Sequence, residues 1–96
     1  MTIVFDWDDD KSALLKKTRG LSLEEVSKVF LNPYLEMMKN DCPEQWKVIG
    51  ILGSRCLALV YEQRFLNGIE IYWIITFWDA TGAERKLYDK TYSSFA

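Results

Sequence analysis

The spacing of hydrophobic side chains divides the chain into helical ends and a β-rich middle. Residues 46–52 and 57–66 are rich in β-branched and aromatic side chains, which is typical of strands. Asn67-Gly68 predicts a tight hairpin turn, and residues 69–78 form the returning strand. A short strand over residues 2–7 precedes the helices.

A first helix is predicted from about Asp9 to Arg19. Asp8 can cap its N-terminus, and acidic side chains in the first turn with basic ones in the last turn suit the helix dipole. Gly20 then provides the left-handed residue that commonly ends a helix. A second helix begins with a capping box of Ser22 and Glu25. Its apolar stripe consists of Leu23, Val26, Val29 and Phe30, and it ends at Asn32-Pro33.

A last helix is predicted over residues 82–91, because Thr81 and Glu84 form a second capping box. The order of elements is therefore β-α-α-β-β-β-α, and residues 34–39 leave room for one further short strand. Helices grouped around hairpin-linked strands indicate an α+β fold. We expect a small antiparallel sheet with two N-terminal helices and one C-terminal helix, in a single domain over residues 1–96.

Composition narrows the chemistry that the chain can perform. It contains no histidine, which argues against an ordinary zinc site and histidine-based catalysis, and no metal or cofactor is expected. Cys42 and Cys56 lie far apart in sequence, which favours free thiols in the cytoplasm. No apolar run approaches the roughly 20 residues of a membrane helix, and the first residues do not resemble a secretory signal. With a net charge of −2, nucleic-acid binding would require a local basic patch.

The hairpin brings charged side chains next to an indole. A two-residue turn gives the facing pairs Leu66–Ile69, Arg64–Ile71, Glu62–Trp73 and Val60–Ile75. Glu62, Arg64 and Trp73 would then share one face and lie close enough to interact. This cluster is either a functional site or a solvated charged patch near the turn. A bulge at Gly68 would shift the register and remove the pairing.

The last helix carries two pairs of side chains that are one turn apart. Glu84 and Tyr88 form one pair, and Arg85 and Asp89 form the other. The second pair is typical of a surface ion pair, and the capping box already gives Glu84 a structural role. A purely structural interpretation therefore explains both pairs, and a functional role for these residues is the alternative interpretation.

The two ends of the chain also carry sequence signatures. The first signature contains Phe5-Asp6-Trp7-Asp8, Lys11, Gly20-Leu21-Ser22-Leu23-Glu24-Glu25 and Val29-Phe30. The second signature contains Ile74-Ile75-Thr76, Ala80-Thr81, Glu84-Arg85 and Tyr88. In this order the pieces resemble the BrnT family, the ribonuclease toxins of bacterial type II toxin–antitoxin pairs. The resemblance runs from about Val4 to Tyr88 and implies a RelE-like fold.

The resemblance implies a toxin that cleaves mRNA without a metal and is neutralised by a cognate antitoxin from an adjacent gene. DNA would be bound only by the complex with the antitoxin, since this chain has no basic recognition helix. RNA cleavage by the 2′-hydroxyl needs a base, cations and an acid, which RelE-like toxins supply with Lys, Arg, Glu and Tyr. The catalytic candidates are Arg64, Glu62, Glu84, Arg85 and Tyr88, and the substrate-binding candidates are Lys11, Lys16, Lys17 and Arg19.

Several charged positions differ from the family pattern. Thr18-Arg19-Gly20 replaces the usual Lys-His-Gly, and Gln45, Trp73 and Trp78 stand where the family has arginines. An indole cannot neutralise phosphate, although its face can stack on a base; the alternative is packing in the core or in an interface.

Three functions are compatible with these observations. The first is an mRNA endoribonuclease toxin, which the near-complete family pattern favours. The second is a catalytically degenerate, toxin-like protein that binds its antitoxin or another partner. The negative charge, the missing histidine and the exchanged arginines favour this second function. The third is an unrelated small α+β domain, because capping boxes and hairpins are common.

Overall fold

The computed structural model describes residues 3–93 and has an α+β fold in which a five-stranded mixed sheet packs against helices. The strands are β1 (Ile3–Trp7), β2 (Tyr34–Asp41), β3 (Glu44–Leu52), β4 (Arg55–Leu66) and β5 (Ile69–Asp79). The helices are α1 (Asp9–Arg19), α2 (Leu23–Val26) and α3 (Gly82–Ser93), and a 3-10 segment, Ser27–Leu31, continues α2. No helix within residues 3–93 has the length and apolar character needed to cross a membrane.

The spatial order of the strands is β1-β5-β4-β3-β2. Strands β2 to β5 pair antiparallel with their neighbours in sequence, as expected for hairpin-linked strands. The prediction of an entirely antiparallel sheet is wrong at one edge, where β1 pairs parallel with β5. Because these strands are the first and last within residues 3–93, their pairing depends on the tertiary fold and leaves no local turn signal in the sequence.

The capping interactions predicted from the sequence are present. The Asp8 carboxylate accepts a bond from the Lys11 amide at 2.9 Å, and Gly20 ends α1 with a φ of 85°. Ser22 and Glu25 form a reciprocal capping box, yet α2 is a single turn that continues as a 3-10 segment. The second helix is therefore shorter than the one that we predicted. The optional strand near residues 34–39 is the full strand β2.

The two faces of the sheet bury separate clusters. On one face, α1 and α2 pack against the sheet through Leu15, Leu23 and Val26, which are at most 5% exposed. On the other face, Tyr88 of α3 packs with Ile49, Cys56 and Ala58. Strand β4 contributes alternate residues to both clusters, so its first half is buried from both sides. The two thiols are unpaired, with Cys42 exposed and Cys56 buried.

Gly50 is required where the 3-10 segment crosses β3. A Cβ atom at this position would lie 2.4 Å from Cγ1 of Val29, a residue with no exposed surface.

We expect Gly50→Ala to lower the free energy of unfolding by about 1–3 kcal/mol, because a buried methyl group must be accommodated by shifting the 3-10 segment. Urea denaturation measures the change. Gly82→Ala is the matched control, since a Cβ there meets nothing within 4 Å. Equal stability of the Gly50→Ala protein and the wild type would contradict this account.

Candidate functional site

Helix α3 covers only part of its face of the sheet. Its Tyr88 hydroxyl donates to the Pro33 carbonyl oxygen at 3.0 Å, and the Tyr92 hydroxyl donates to the Tyr34 carbonyl oxygen. These contacts hold the helix over β2 and β3, whereas side chains towards the β4–β5 turn are partly exposed. We call this second area the open face, and it consists of Val4, Asp6, Glu62, Arg64, Leu66, Ile69, Ile71 and Trp73.

The hairpin register predicted from the sequence is correct near the turn. Glu62 faces Trp73 and Arg64 faces Ile71, so the predicted cluster exists on one face. The register fails farther from the turn, because Val60 faces Thr76 and not Ile75. A β-bulge between Val60 and Tyr61 in the pairing inserts one extra residue on β5, and nothing in the local sequence marks it.

Arg64 is held in a fixed orientation within this cluster. Its Nε donates to Oε2 of Glu62 at 2.6 Å, and its guanidinium lies 4.4 Å from the centre of the Trp73 ring. The other oxygen of Glu62 accepts a bond from Nε2 of Gln45 at 3.1 Å. The bonds from Arg64 and Gln45 lower the pKa of Glu62 below its ordinary value. The charge of Arg64 is thus matched by an adjacent carboxylate, and one face of the indole is covered.

Glu84 forms the second polar cluster, at the start of α3. Its carboxylate accepts bonds from Lys47 Nζ at 2.9 Å, Trp78 Nε1 at 3.0 Å and the Thr81 amide at 2.9 Å. Burial by itself would raise the pKa of Glu84, but the donors from Thr81, Lys47 and Trp78 outweigh it and lower the pKa to about 2. Glu84 is therefore both the cap that was predicted and the counter-ion of a lysine that the sequence analysis missed.

Lys47 was missed because no motif marks it. The sequence offered one signal: Lys47 is the only charged residue between residues 46 and 52, and Gln45, two positions earlier, is also polar. Lys47, Trp78 and residues of β2 surround a shallow cavity of about 300 Å³. Its lining residues are Met37, Met38, Lys39, Lys47 and Trp78.

Two of the catalytic candidates on α3 do not join the hairpin cluster. Tyr88 is 9% exposed, and its hydroxyl bonds to a backbone oxygen. Burial raises the pKa of Tyr88. Arg85 is exposed and pairs with Asp89 at 3.3 Å, which is the predicted surface ion pair. Of the five catalytic candidates, Glu62 and Arg64 contact each other, whereas Glu84 forms a separate ion pair with Lys47.

The basic candidates on α1 are separated from the hairpin cluster by the sheet. Helix α1 packs through Leu15 on the face opposite to α3, so Lys11, Lys16 and Lys17 lie on that side of the molecule. Lys16 pairs with Glu25 at 2.7 Å. Arg19, at the end of α1, donates to the Phe77 carbonyl oxygen. The structure thus separates the expected substrate-binding residues from Glu62 and Arg64.

The tryptophans divide between the two faces. Trp46 packs against the cluster under α1 and donates to Glu44 at 2.9 Å. Trp73 and Trp78 lie on the α3 face, each in contact with one of the polar clusters. Within residues 3–93, no group of three or more Cys, Asp or Glu side chains is placed to hold a metal ion. No protein-family model and no curated protein sequence matches the chain.

The low pKa of Glu84 makes a pH-dependent contribution to stability. Because the folded-state pKa (about 2) is below the ordinary 4.5, the stabilisation is complete above pH 4.5 and is lost as the pH falls towards 2. We expect Glu84→Gln to lower the free energy of unfolding at pH 7 by about 2 kcal/mol, and the difference from wild type to shrink between pH 4.5 and pH 2. Urea denaturation at a series of pH values measures both. A difference that stays constant down to pH 2 would contradict the assignment.

Proposed function

We propose that this chain is a BrnT-like component of a cytoplasmic type II toxin–antitoxin pair that binds its cognate antitoxin and does not cleave RNA. The RelE-like fold is part of the same proposal. It is supported by the grouped N-terminal helices, the hairpin-linked strands and the C-terminal helix packed on the sheet. The parallel pairing of β1 and the short α2 were not expected from the resemblance.

The ion pairs formed by Arg64 and Lys47 are the main support for this proposal. Arg64 is bound by Glu62 and Lys47 is bound by Glu84, so the two cations in contact with the site's tryptophans and carboxylates are each matched by a carboxylate. A ribonuclease has to stabilise the negative charge that accumulates on a phosphate during cleavage. Cations that are neutralised by their own neighbours serve this purpose poorly. The same pairs suit a protein surface that stays close to neutral when a partner covers it.

The pKa values of the candidate proton-transfer groups also argue against RNA cleavage. A general base works best when its pKa lies near the operating pH, whereas the pKa of Glu84 is lowered to about 2 and that of Glu62 is also lowered. The pKa of Tyr88 is raised by burial, and its hydroxyl is bonded to Pro33. None of these three groups combines a pKa near neutrality with access to the open face.

The endoribonuclease toxin is the alternative, and one observation favours it. Only Nε of Arg64 is bonded to Glu62, so the two terminal nitrogens are left without a hydrogen bond among the described residues. A guanidinium can bind phosphate at two points through such nitrogens. In that case Arg64 would bind mRNA, and Glu62 would position it.

Inducible expression in bacteria without any antitoxin separates the two functions. We expect normal growth and intact mRNA for the wild-type chain, because the charges of the site are already paired. The double variant Arg64→Ala/Glu84→Gln should behave in the same way and serves as the matched control. Growth arrest with loss of mRNA for the wild type, relieved in the double variant, would contradict the proposal and support the ribonuclease.

A further inference from the structure

The cavity beside the start of α3 has the size of a small-molecule site. Its volume is about 300 Å³, which is at the lower end of the range in which proteins bind small ligands. At roughly 30 Å³ per water molecule, the space corresponds to about ten non-hydrogen atoms. The cavity therefore fits a ligand of one or two rings. Its lining residues are Met37, Met38, Lys39, Lys47 and Trp78.

A β-bulge brings three consecutive residues of the edge strand β2 to this cavity. The pairing of β2 with β3 shifts by one residue between Met38 and Asn40, so Lys39 is the extra residue. Successive side chains of a regular strand point to opposite faces, whereas a bulge redirects one of them. Lys39 is exposed, and its ammonium group forms no hydrogen bond or ion pair with the other described residues. It therefore places an unmatched positive charge beside the cavity.

Glu84 holds the other two polar groups of the cavity in position. One carboxylate oxygen accepts a bond from Trp78 Nε1 at 3.0 Å, and the other accepts a bond from Lys47 Nζ at 2.9 Å. An ammonium group has three donors, so Lys47 keeps donors that no side chain within residues 3–93 uses. The ion pair with Glu84 balances the charge of Lys47. The charge of Lys39 remains for a ligand.

We propose that this cavity binds a small aromatic monoanion, a carboxylate on one or two rings. The rings pack against the indole of Trp78 and the thioether of Met37, because aromatic surfaces contact both groups favourably. The carboxylate of the ligand is bound by Lys39 and by the remaining donors of Lys47. Since Glu84 already orients the indole, little side-chain freedom is lost on binding. This site goes beyond the proposed function and does not depend on it.

The experiment titrates the full chain with 2-naphthoate and follows the indole N–H and methionine methyl resonances by NMR. We expect saturable shifts of the Trp78 and Met37 resonances, with a Kd below about 1 mM. Trp7 and Trp46 should not shift, because they pack against the cluster under α1 on the opposite face. Two further probes separate the parts of the ligand: 2-naphthylmethanol has the rings without the charge, and inorganic phosphate has charge without the rings. Each should bind about tenfold more weakly than 2-naphthoate.

A charge reversal at the bulge tests the role of Lys39. We expect Lys39→Glu to raise the Kd for 2-naphthoate about tenfold or more, because a charge-assisted bond is replaced by repulsion. Lys28→Glu is the matched control, since Lys28 is also exposed but lies on the 3-10 segment, which packs on the α1 face. It should leave the Kd unchanged. Both lysines are exposed, so we expect both variants to fold, and urea denaturation checks this.

The outcomes decide between a small-anion site and other uses of the cavity. Saturable binding that shifts Trp78 and is weakened by Lys39→Glu but not by Lys28→Glu supports the proposal. Absence of saturation, shifts confined to other tryptophans, or an unchanged Kd for Lys39→Glu would overturn it. So would equally tight binding of 2-naphthylmethanol or of inorganic phosphate. Adenosine monophosphate is the last probe: tighter binding of this nucleotide than of 2-naphthoate would overturn the proposal and support the ribonuclease alternative.

Discussion

A single carboxylate, that of Glu84, joins the last helix to two strands of the sheet. Its bonds to the Thr81 amide, Trp78 and Lys47 fix the start of α3 at the end of β5 and against β3. The far end of the helix is fixed by tyrosines that bond to the backbone before and at the start of β2. These attachments set the course of α3 across one half of its sheet face. The half nearer the β4–β5 turn is consequently left open.

The division of this face has a chemical consequence. Lys47 and Arg64 lie on the face that α3 partly covers, and the fold gives each of them a carboxylate partner. The basic side chains of α1 are on the opposite side of the sheet, where they cannot supplement these cations. An arrangement of this kind offers little positive charge to an RNA phosphate, while its exposed apolar strip suits a protein segment. The same geometry thus argues for partner binding and against cleavage.

The sequence predicted the features that depend on neighbouring residues. Asp8, Ser22 and Thr81 cap their helices as expected, because a cap is completed within three residues. The turn at Asn67-Gly68 fixed the pairing of Glu62 with Trp73 and brought the hairpin cluster together.

The features that were missed depend on contacts between distant parts of the chain. The parallel pairing of β1 with β5 joins strands that are far apart in sequence. The bulge opposite Val60 is an exception, because it lies within the β4–β5 hairpin and no local sequence feature marks it. Lys47 and Glu84 are 37 residues apart, so their ion pair could not be read from either segment alone. The resemblance to a toxin family predicted which residue types to consider, but it gave no indication that Tyr88 would be buried with its hydroxyl bonded to Pro33.

The most direct test is an NMR titration of the side-chain carboxyl carbons of Glu84 and Glu62 in the folded protein. Permanent pairing of the two carboxylates with Lys47 and Arg64 requires Glu84 to titrate with a pKa of about 2 and Glu62 below 4.5. A pKa above 4.5 for either residue would mean that its carboxylate is not held by a cation. The site would then retain a base able to take up protons nearer to neutral pH, which would contradict the account of a surface built for binding.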